Sequence, residues 1–317
     1  MIQERIEDFL LGGPRTYTRT EVAARAGVPV ERATELWHSL GFATVDDDAR
    51  VFTESDLAAL RIAGELVRAG ITDPAQATAT ARMLGQHMSR LAESQFTMLR
   101  DIMQANPGLA ADEDDLVGFV RRLVPDLEHL QNFAWRRHLA AYARGLGATE
   151  EDAAARRQVV GFADMVGFTS FTRRSSEAEL VEVVDRFDGL TAQVVAENHG
   201  RIVKMIGDEV LFVADDPEAG AELALDLLER AGHADGLPPL RVGLAYGRVL
   251  SRFGDIYGSV VNLAARLTSV ARPGSVLIDR ELAESLEPDA RYLVRPRRPV
   301  SVRGYARLRP ALLRRSS

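Results

Sequence analysis

"RIVKMIGDEVLFVA", Arg201 to Ala214, decides how the second half of this chain is read. Two short apolar runs, "RIVKM" and "EVLFVA", flank Ile206-Gly207-Asp208. A Gly-Asp pair suits the tip of a two-residue hairpin, because glycine accepts positive φ and aspartate tolerates it. A lysine and two acids nevertheless fall within this short span, between strands apolar enough to be buried. Lys204 is the only lysine among the 39 basic residues of the 317-residue chain; all the others are arginine. A chain that otherwise uses arginine throughout has placed one compact ammonium at this hairpin.

Around the hairpin, strands alternate with helices. "VVGFADM", from Val159, reads as a strand, and "SEAELVEVVDRFDGLTAQVVAENHG" as a long helix closed by Gly200. After the hairpin come the helix "DPEAGAELALDLLERAG", the strand "LRVGLAYGRVL", the helix "SVVNLAARLTSVA" and the strand "SVLID". The order β-α-β-β-α-β with appended elements predicts an α+β, ferredoxin-like sheet with helices on one face, over 159–317.

Residues 1–150 have a different grammar. "TRTEVAARAG", "VPVERATELWHSLGF" and "TESDLAALRIAGELVRAG" each place apolar residues at helical spacing behind a threonine or serine. "DPAQATATARMLGQHMSRLAESQFTMLRDIM" continues as one long amphipathic helix or two in succession. "ADEDDLVGFVRRLVPDLEHLQNFAWRRHLAAYARG" is expected to be a helix pair broken around Pro125. An all-α domain over 1–150 is thus expected, joined to the second through a connection at about 145–158, "GLGATEEDAAARRQ".

Composition narrows the classes. Hydrophobic content of 46% and charged content of 27% describe a globular protein with real cores. No run approaches the roughly 20 apolar residues that span a bilayer, and "MIQERIEDFL" lacks a signal-peptide layout, so a cytoplasmic protein is expected. The absence of cysteine removes disulfides, thiolate zinc sites and cysteine nucleophiles together. Net charge is −7, divided as −6 over 1–150 and −1 over 151–317. Neither part has the positive surplus of a nucleic-acid binder, and no nucleic-acid partner is expected.

Asp164 lies at the end of the first strand and Asp208 at the hairpin tip. In a β-α-β-β sheet the two can meet at one edge, and paired carboxylates with an open face suit Mg²⁺ or Mn²⁺. Taken singly, each acid equally suits an ordinary turn. Farther on, "FGDIYGSVVNLAARL" puts Asn262 and Arg266 four apart, on one helix face, where the arginine offers a planar fork for phosphate oxygens. Asp255 precedes that helix in a glycine-flanked loop.

Taken together, these segments resemble the class III nucleotidyl cyclases. "FADMVGFTSFT" resembles the family's first metal-binding motif, "VKMIGDEVLFV" its substrate-lysine and second-metal hairpin, and "GDIYGSVVNLAARL" the segment with its purine-reading acid and transition-state residues. The match runs from about Val159 to Leu313. The resemblance implies that Asp164 and Asp208 hold two metal ions, Mg²⁺ or Mn²⁺, with the Met165 carbonyl assisting. Lys204 would donate to N1 of adenine and Asp255 would accept from its exocyclic amine, a pairing that guanine mismatches. Asn262 would orient the ribose and Arg266 would neutralise charge on the transferring phosphorus. The implied reaction is attack of the ribose 3′-hydroxyl of ATP on its α-phosphate, giving cyclic AMP and pyrophosphate. In the family one subunit supplies the metal acids and its partner the other groups, so a homodimer is implied. Diguanylate cyclases fit less well, since their hairpin carries G-G-D/E-E-F. A guanylyl cyclase would replace the Lys204/Asp255 pair.

For the first half, "YTRTEVAARAGVPVERATELWHSLGF" has a helix-turn-helix look, which makes a DNA-binding regulator with a non-catalytic cyclase-like domain the reading from another class. Its second helix carries two glutamates against one arginine, with Asp46, Asp47 and Asp48 beyond, and would repel phosphate. The layout is more similar to actinobacterial adenylyl cyclases with a helical, sometimes pH-sensing, regulatory domain. His87, His129 and His138 lie there, and His138, in "WRRHLAAYARG" before the connection, is the expected sensor if pH is the stimulus.

Overall fold

The computed structural model describes residues 2–143, 157–302 and 304–316. It divides into two compact units, Met1–Leu146 and Gly147–Ser317. Of the connection expected over 145–158, only Arg157 and Gln158 fall among the described residues, and both already belong to a strand.

The first unit is helical among its described residues: α1 Ile2–Leu10, α2 Arg19–Ala26, α3 Val30–Leu40, α4 Glu54–Arg68, α5 Pro74–Ala105, α6 Pro107–Ala111 and α7 Glu113–Ala143. Thr18 with Glu21, and Thr53 with Asp56, form reciprocal capping boxes at α2 and α4, while Asp73 caps α5 ahead of Pro74. Tyr17 bridges to Phe52, and Trp37 stacks on Phe52 with ring centroids 4.3 Å apart. Val22, Ala33, Leu57 and Leu60 complete that small core. The long segment after Asp73 is one helix. The expected break at Pro125 is absent, and α7 runs through it. Proline there deletes the bond to the Arg121 carbonyl, at roughly 3 kcal/mol. Good helix formers on both sides, Arg121, Arg122 and Leu123 before it and Leu127 and Glu128 after it, carry the helix across.

The second unit holds β1 Arg157–Met165, α8 Phe168–Thr172, α9 Glu177–Glu197, β2 Arg201–Ile206, β3 Glu209–Ala214, α10 Pro217–His233 and β4 Leu240–Arg248. There follow β5 Leu250–Arg252, β6 Asp255–Tyr257, α11 Ser259–Val270, β7 Val276–Ile278, α12 Arg280–Leu286, β8 Tyr292–Pro296, β9 Val300–Val302, β10 Tyr305–Leu308 and β11 Ala311–Arg315. Seven strands form one sheet in the order β2-β3-β1-β4-β7-β11-β8, antiparallel except between β4 and β7. Its first four strands, with α9 and α10, are the ferredoxin-like β-α-β-β-α-β unit.

Helices cover both faces of the sheet, not one. Val159, Ala163 and Met165 of β1 face a core with Phe187 of α9, Leu223 of α10 and Leu282 of α12. Val160 and Phe162 face the opposite way, into a core with Val260, Ala264 and Leu267 of α11. The reason is legible in hindsight: β1 and β3 are apolar at nearly every position, so both faces need cover. Gly243 of β4 lets α11 approach, since a Cβ there would stand 2.3 Å from the Thr268 nitrogen.

A second correction concerns the end of α9. His199, at φ 56°, makes the left-handed turn expected of Gly200. Gly200 is required for a different reason, because a Cβ on it would sit 2.5 Å from Cδ1 of Leu223.

Candidate active site

The hairpin stands where the sequence places it. Ile206 pairs with Glu209 across Gly207-Asp208, and Gly207 takes φ 65° at the first central position, where no other residue is as easily accommodated. The Asp208 carbonyl accepts from the Met165 N–H at 3.0 Å, which ties the hairpin tip to the end of β1. Asp164 and Asp208 therefore meet at one edge, as expected.

Two further side chains join them. Glu209 is the register partner of Asp164 on β3, and Arg241 is its partner on β4. Arg241 donates from Nε to Oδ2 of Asp164 at 2.5 Å and from Nη1 to the Ser269 carbonyl at the end of α11, at 3.3 Å. Burial raises the Asp164 pKa, an effect that Arg241 opposes and the Asp208 charge reinforces. Glu209 is pushed up to about 7, first by burial and then by the charges of Asp164 and Asp208. Arg241 thus acts on both Asp164 and Glu209. The Asp208 carboxylate has no hydrogen-bond partner among the described residues. Surplus negative charge on oxygen donors, with Asp208 open, fits a hard divalent cation. Asp164 and Asp208 are the groups that would hold it.

Lys204 is aimed by its position two residues before Ile206, where the hairpin pairing begins. Ile202 pairs with Phe212 but Lys204 pairs with Leu211, so Val203 is one residue too many, a bulge. Phe212 faces the core beneath α9, whereas Leu211 faces the core beneath α11. Pairing is regular from the hairpin back through Ile206, Met205 and Lys204, which sets Lys204 opposite Leu211 on the α11 side; the bulge at Val203 returns Ile202 to the α9 side. By the alternation of β1, β3 and β4, Asp164, Glu209 and Arg241 project on that same side.

There Lys204 meets Asp255. Its Nζ donates to Oδ2 of Asp255 at 2.6 Å, while Oδ1 accepts from the Ile256 N–H at 2.8 Å. Burial of Asp255 would raise its pKa, but the Lys204 hydrogen bond and the Ile256 N–H outweigh it and hold the carboxyl below its usual range. Asp255 opens β6 after a two-residue turn in which both Phe253, at φ 52°, and Gly254 are left-handed. The pair is a donor and an acceptor side by side, partly exposed, at the open end of a strand.

Asn262 and Arg266 lie on α11 as expected. Val260, Ala264, Leu267 and Thr268 are that helix's buried side, so Asn262 and Arg266 look away from the sheet. Neither side chain has a partner among the described residues. In a single chain they therefore point away from the acids at the sheet edge. The backbone carbonyl of Met165 follows Asp164, and the Met165 side chain is buried. His138 is exposed on α7, in the first unit. Glu209 and Arg241 were not singled out in the sequence. The signal for Arg241 was a charge inside the apolar strand "LRVGLAYG"; for Glu209, a third acid beside the hairpin tip.

A four-stranded ferredoxin-like core with paired acids on β1 and the β2–β3 turn, and a lysine–aspartate pair beside them, is the architecture of a class III nucleotidyl cyclase. The chain belongs to that family: residues 154–313 match the adenylate and guanylate cyclase catalytic domain, and residues 6–134 match the adenylate cyclase regulatory domain. An adenylate cyclase of Streptomyces coelicolor is 43% identical over 286 residues, covering 89% of this chain and 74% of the relative. One of Glutamicibacter nicotianae is 38% identical over 96% of this chain and 80% of its own. A pH-sensitive adenylate cyclase of Mycobacterium tuberculosis is 34% identical over 94% of this chain and 79% of its own.

Proposed function

We propose that the chain cyclises ATP to 3′,5′-cyclic AMP and pyrophosphate at two equivalent sites, each shared by two copies of the chain. It is an adenylate cyclase, with an N-terminal adenylate cyclase regulatory domain. The observation that carries the adenine assignment is the contact of Lys204 with Asp255 at 2.6 Å. Adenine presents an N1 acceptor and an amine donor, which this pair matches. Guanine presents an N1 donor and an O6 acceptor, and would leave both groups mismatched.

In each site one copy would contribute Asp164, Asp208 and the Met165 carbonyl, and the other Lys204, Asp255, Asn262 and Arg266. The outward face of α11 supports this division, since Asn262 and Arg266 look away from their own sheet. Lys204 and Asp255 orient the base, Asn262 the ribose, and the Arg266 fork binds oxygens of the α-phosphate, where negative charge grows. Members of this family are generally magnesium- or manganese-dependent. Asp164 and Asp208 would hold the two ions, which when bound would supply charge to ease ionisation of the 3′-hydroxyl and to screen the triphosphate.

The test is purified protein with Mn²⁺ and either ATP or GTP, the cyclic products being resolved chromatographically. Cyclic AMP should dominate by orders of magnitude, and the Lys204→Ala/Asp255→Ala variant should lose ATP turnover while keeping its Mn²⁺ affinity. Equal turnover of GTP and ATP by the unmodified protein would sink the adenine assignment.

A further inference from the structure

Charge is distributed unevenly along the second unit. From Ala290 to Ser317 the sequence holds nine arginines and no acid, so the rest of the chain carries −16. Two of these arginines are clamped. Arg291 pairs with Glu218 and Asp289, and Arg315 pairs with Glu222, Asp226 and Glu229 along α10. Six others, Arg295, Arg297, Arg298, Arg307, Arg309 and Arg314, are exposed and have no acidic partner among the described residues.

The register explains the division. Arg314 and Arg315 are neighbours on β11 and point to opposite faces of the sheet. Arg315 reaches the acids of α10. Arg314 lies with Arg295 on the other face, where Val300, Val302 and Leu308 seat the β9–β10 ribbon against the α11 core. Arg307 and Arg309 flank the inward Leu308, and Arg297 and Arg298 form the strap from β8 to β9. The unpaired cations thus gather around one ribbon at the sheet edge opposite β2 and the acids of the active site.

We propose that this arginine face docks the protein on an anionic phospholipid surface. The arginines are spread along a ribbon and an edge strand, which suits a planar array of phosphates better than one compact anion. Among its described side chains the segment has no exposed aromatic on which a base would stack. Pro296, Pro299 and Pro310 interrupt the edge and blunt it against pairing with another strand. No described helix is long and apolar enough to cross a membrane, so the contact is peripheral. Clusters of four to eight basic side chains are the size that anionic leaflets attract, an attraction that falls away within a Debye length.

The full-length protein is sedimented with vesicles of phosphatidylcholine alone or containing phosphatidylglycerol, at low and physiological salt. It should partition onto the anionic vesicles, less so as salt rises. Arg297→Ser/Arg298→Ser/Arg307→Ser should weaken that partition about a hundredfold. The lysine triple variant Arg297→Lys/Arg298→Lys/Arg307→Lys should retain it. None of the three residues belongs to the catalytic set, so Mn²⁺-ATP turnover in solution should be unchanged and reports that the variants fold. Equal binding to both vesicle types, or undiminished binding by the serine variant, overturns the proposal. So does tighter binding of random duplex DNA at the same salt, which assigns the face to nucleic acid.

Discussion

Arg241 on β4 stands directly across from Asp164 on β1, and its Nε donates to Oδ2 of that acid at 2.5 Å. The same guanidinium reaches the Ser269 carbonyl, so one planar fork links a candidate metal acid to the end of the helix that carries Asn262 and Arg266. Arginine suits this position because its donors point in two fixed directions; a lysine ammonium is a point charge on a flexible stem.

Arg241→Ala should therefore lower kcat by on the order of a hundredfold, the loss typical of removing one preorganised charged donor. Arg241→Lys should recover only part of it. Steady-state kinetics in Mn²⁺, with circular dichroism to verify folding, provides the measurement. Unchanged turnover in the alanine variant would leave Arg241 a merely structural partner of Asp164.

Sharing of each site between two chains is tested by complementation. Asp164→Ala and Lys204→Ala homodimers should both be nearly inactive. In a mixed dimer one site collects both lesions and the other neither. Random exchange makes about half of the dimers mixed, each with one good site of two, so activity should return to roughly a quarter of wild type. Co-expression or joint refolding is needed for exchange. No recovery from verified mixed dimers means that all six groups act within one chain.

The regulatory half should hold the cyclase in check. Removing residues 1–150 is expected to raise activity. If the stimulus is pH, His138→Ala should flatten the full-length pH–activity profile between about 5.5 and 7.5, where histidine ordinarily titrates. The comparison is the ratio of full-length to truncated activity across that range; an unaltered ratio in the variant removes His138 from the sensor role.

A pH effect on stability comes from Asp279. This nearly buried carboxylate caps α12 by accepting from the Leu282 N–H and also accepts from the Tyr246 N–H, yet burial dominates and raises its pKa to about 6. The folded value lies above the unfolded one, so the associated stability is full below about 4 and is lost as pH rises through about 6. Asp279→Asn keeps the acceptor and removes the charge. Its melting temperature relative to wild type should climb between pH 4 and 6 and level off above 7. Two units correspond to about 3 kcal/mol as an upper figure. A pH-independent difference would show that Asp279 does not titrate in that window.

Much of the catalytic half was legible because its signals are local. The two-residue turn, the alternation of strands with helices and the four-residue spacing of Asn262 and Arg266 all lie within short windows. The contribution of Arg241 was not legible, since Asp164 and Arg241 are 77 positions apart and meet only through strand pairing. Nor was the α11 side of the sheet, because a fully apolar strand does not say what covers it. Pro125 misled because the one hydrogen bond it deletes was outweighed by the helix propensity of its neighbours on both sides. At Gly200 the residue type was right for a turn, but the neighbouring histidine made it.

The two-residue turn at Gly207-Asp208 makes the face from which Lys204 works a matter of counting. Loss of the codon for Met205 would leave the composition almost intact and every proposed functional residue present. It would nevertheless set Lys204 opposite Val210, on the α9 side, and part it from Asp255. A survey of relatives that checks only for the six residue identities would score such a chain as complete. The length of the interval between Lys204 and the hairpin turn is therefore as diagnostic of the proposed adenine readout as the lysine itself.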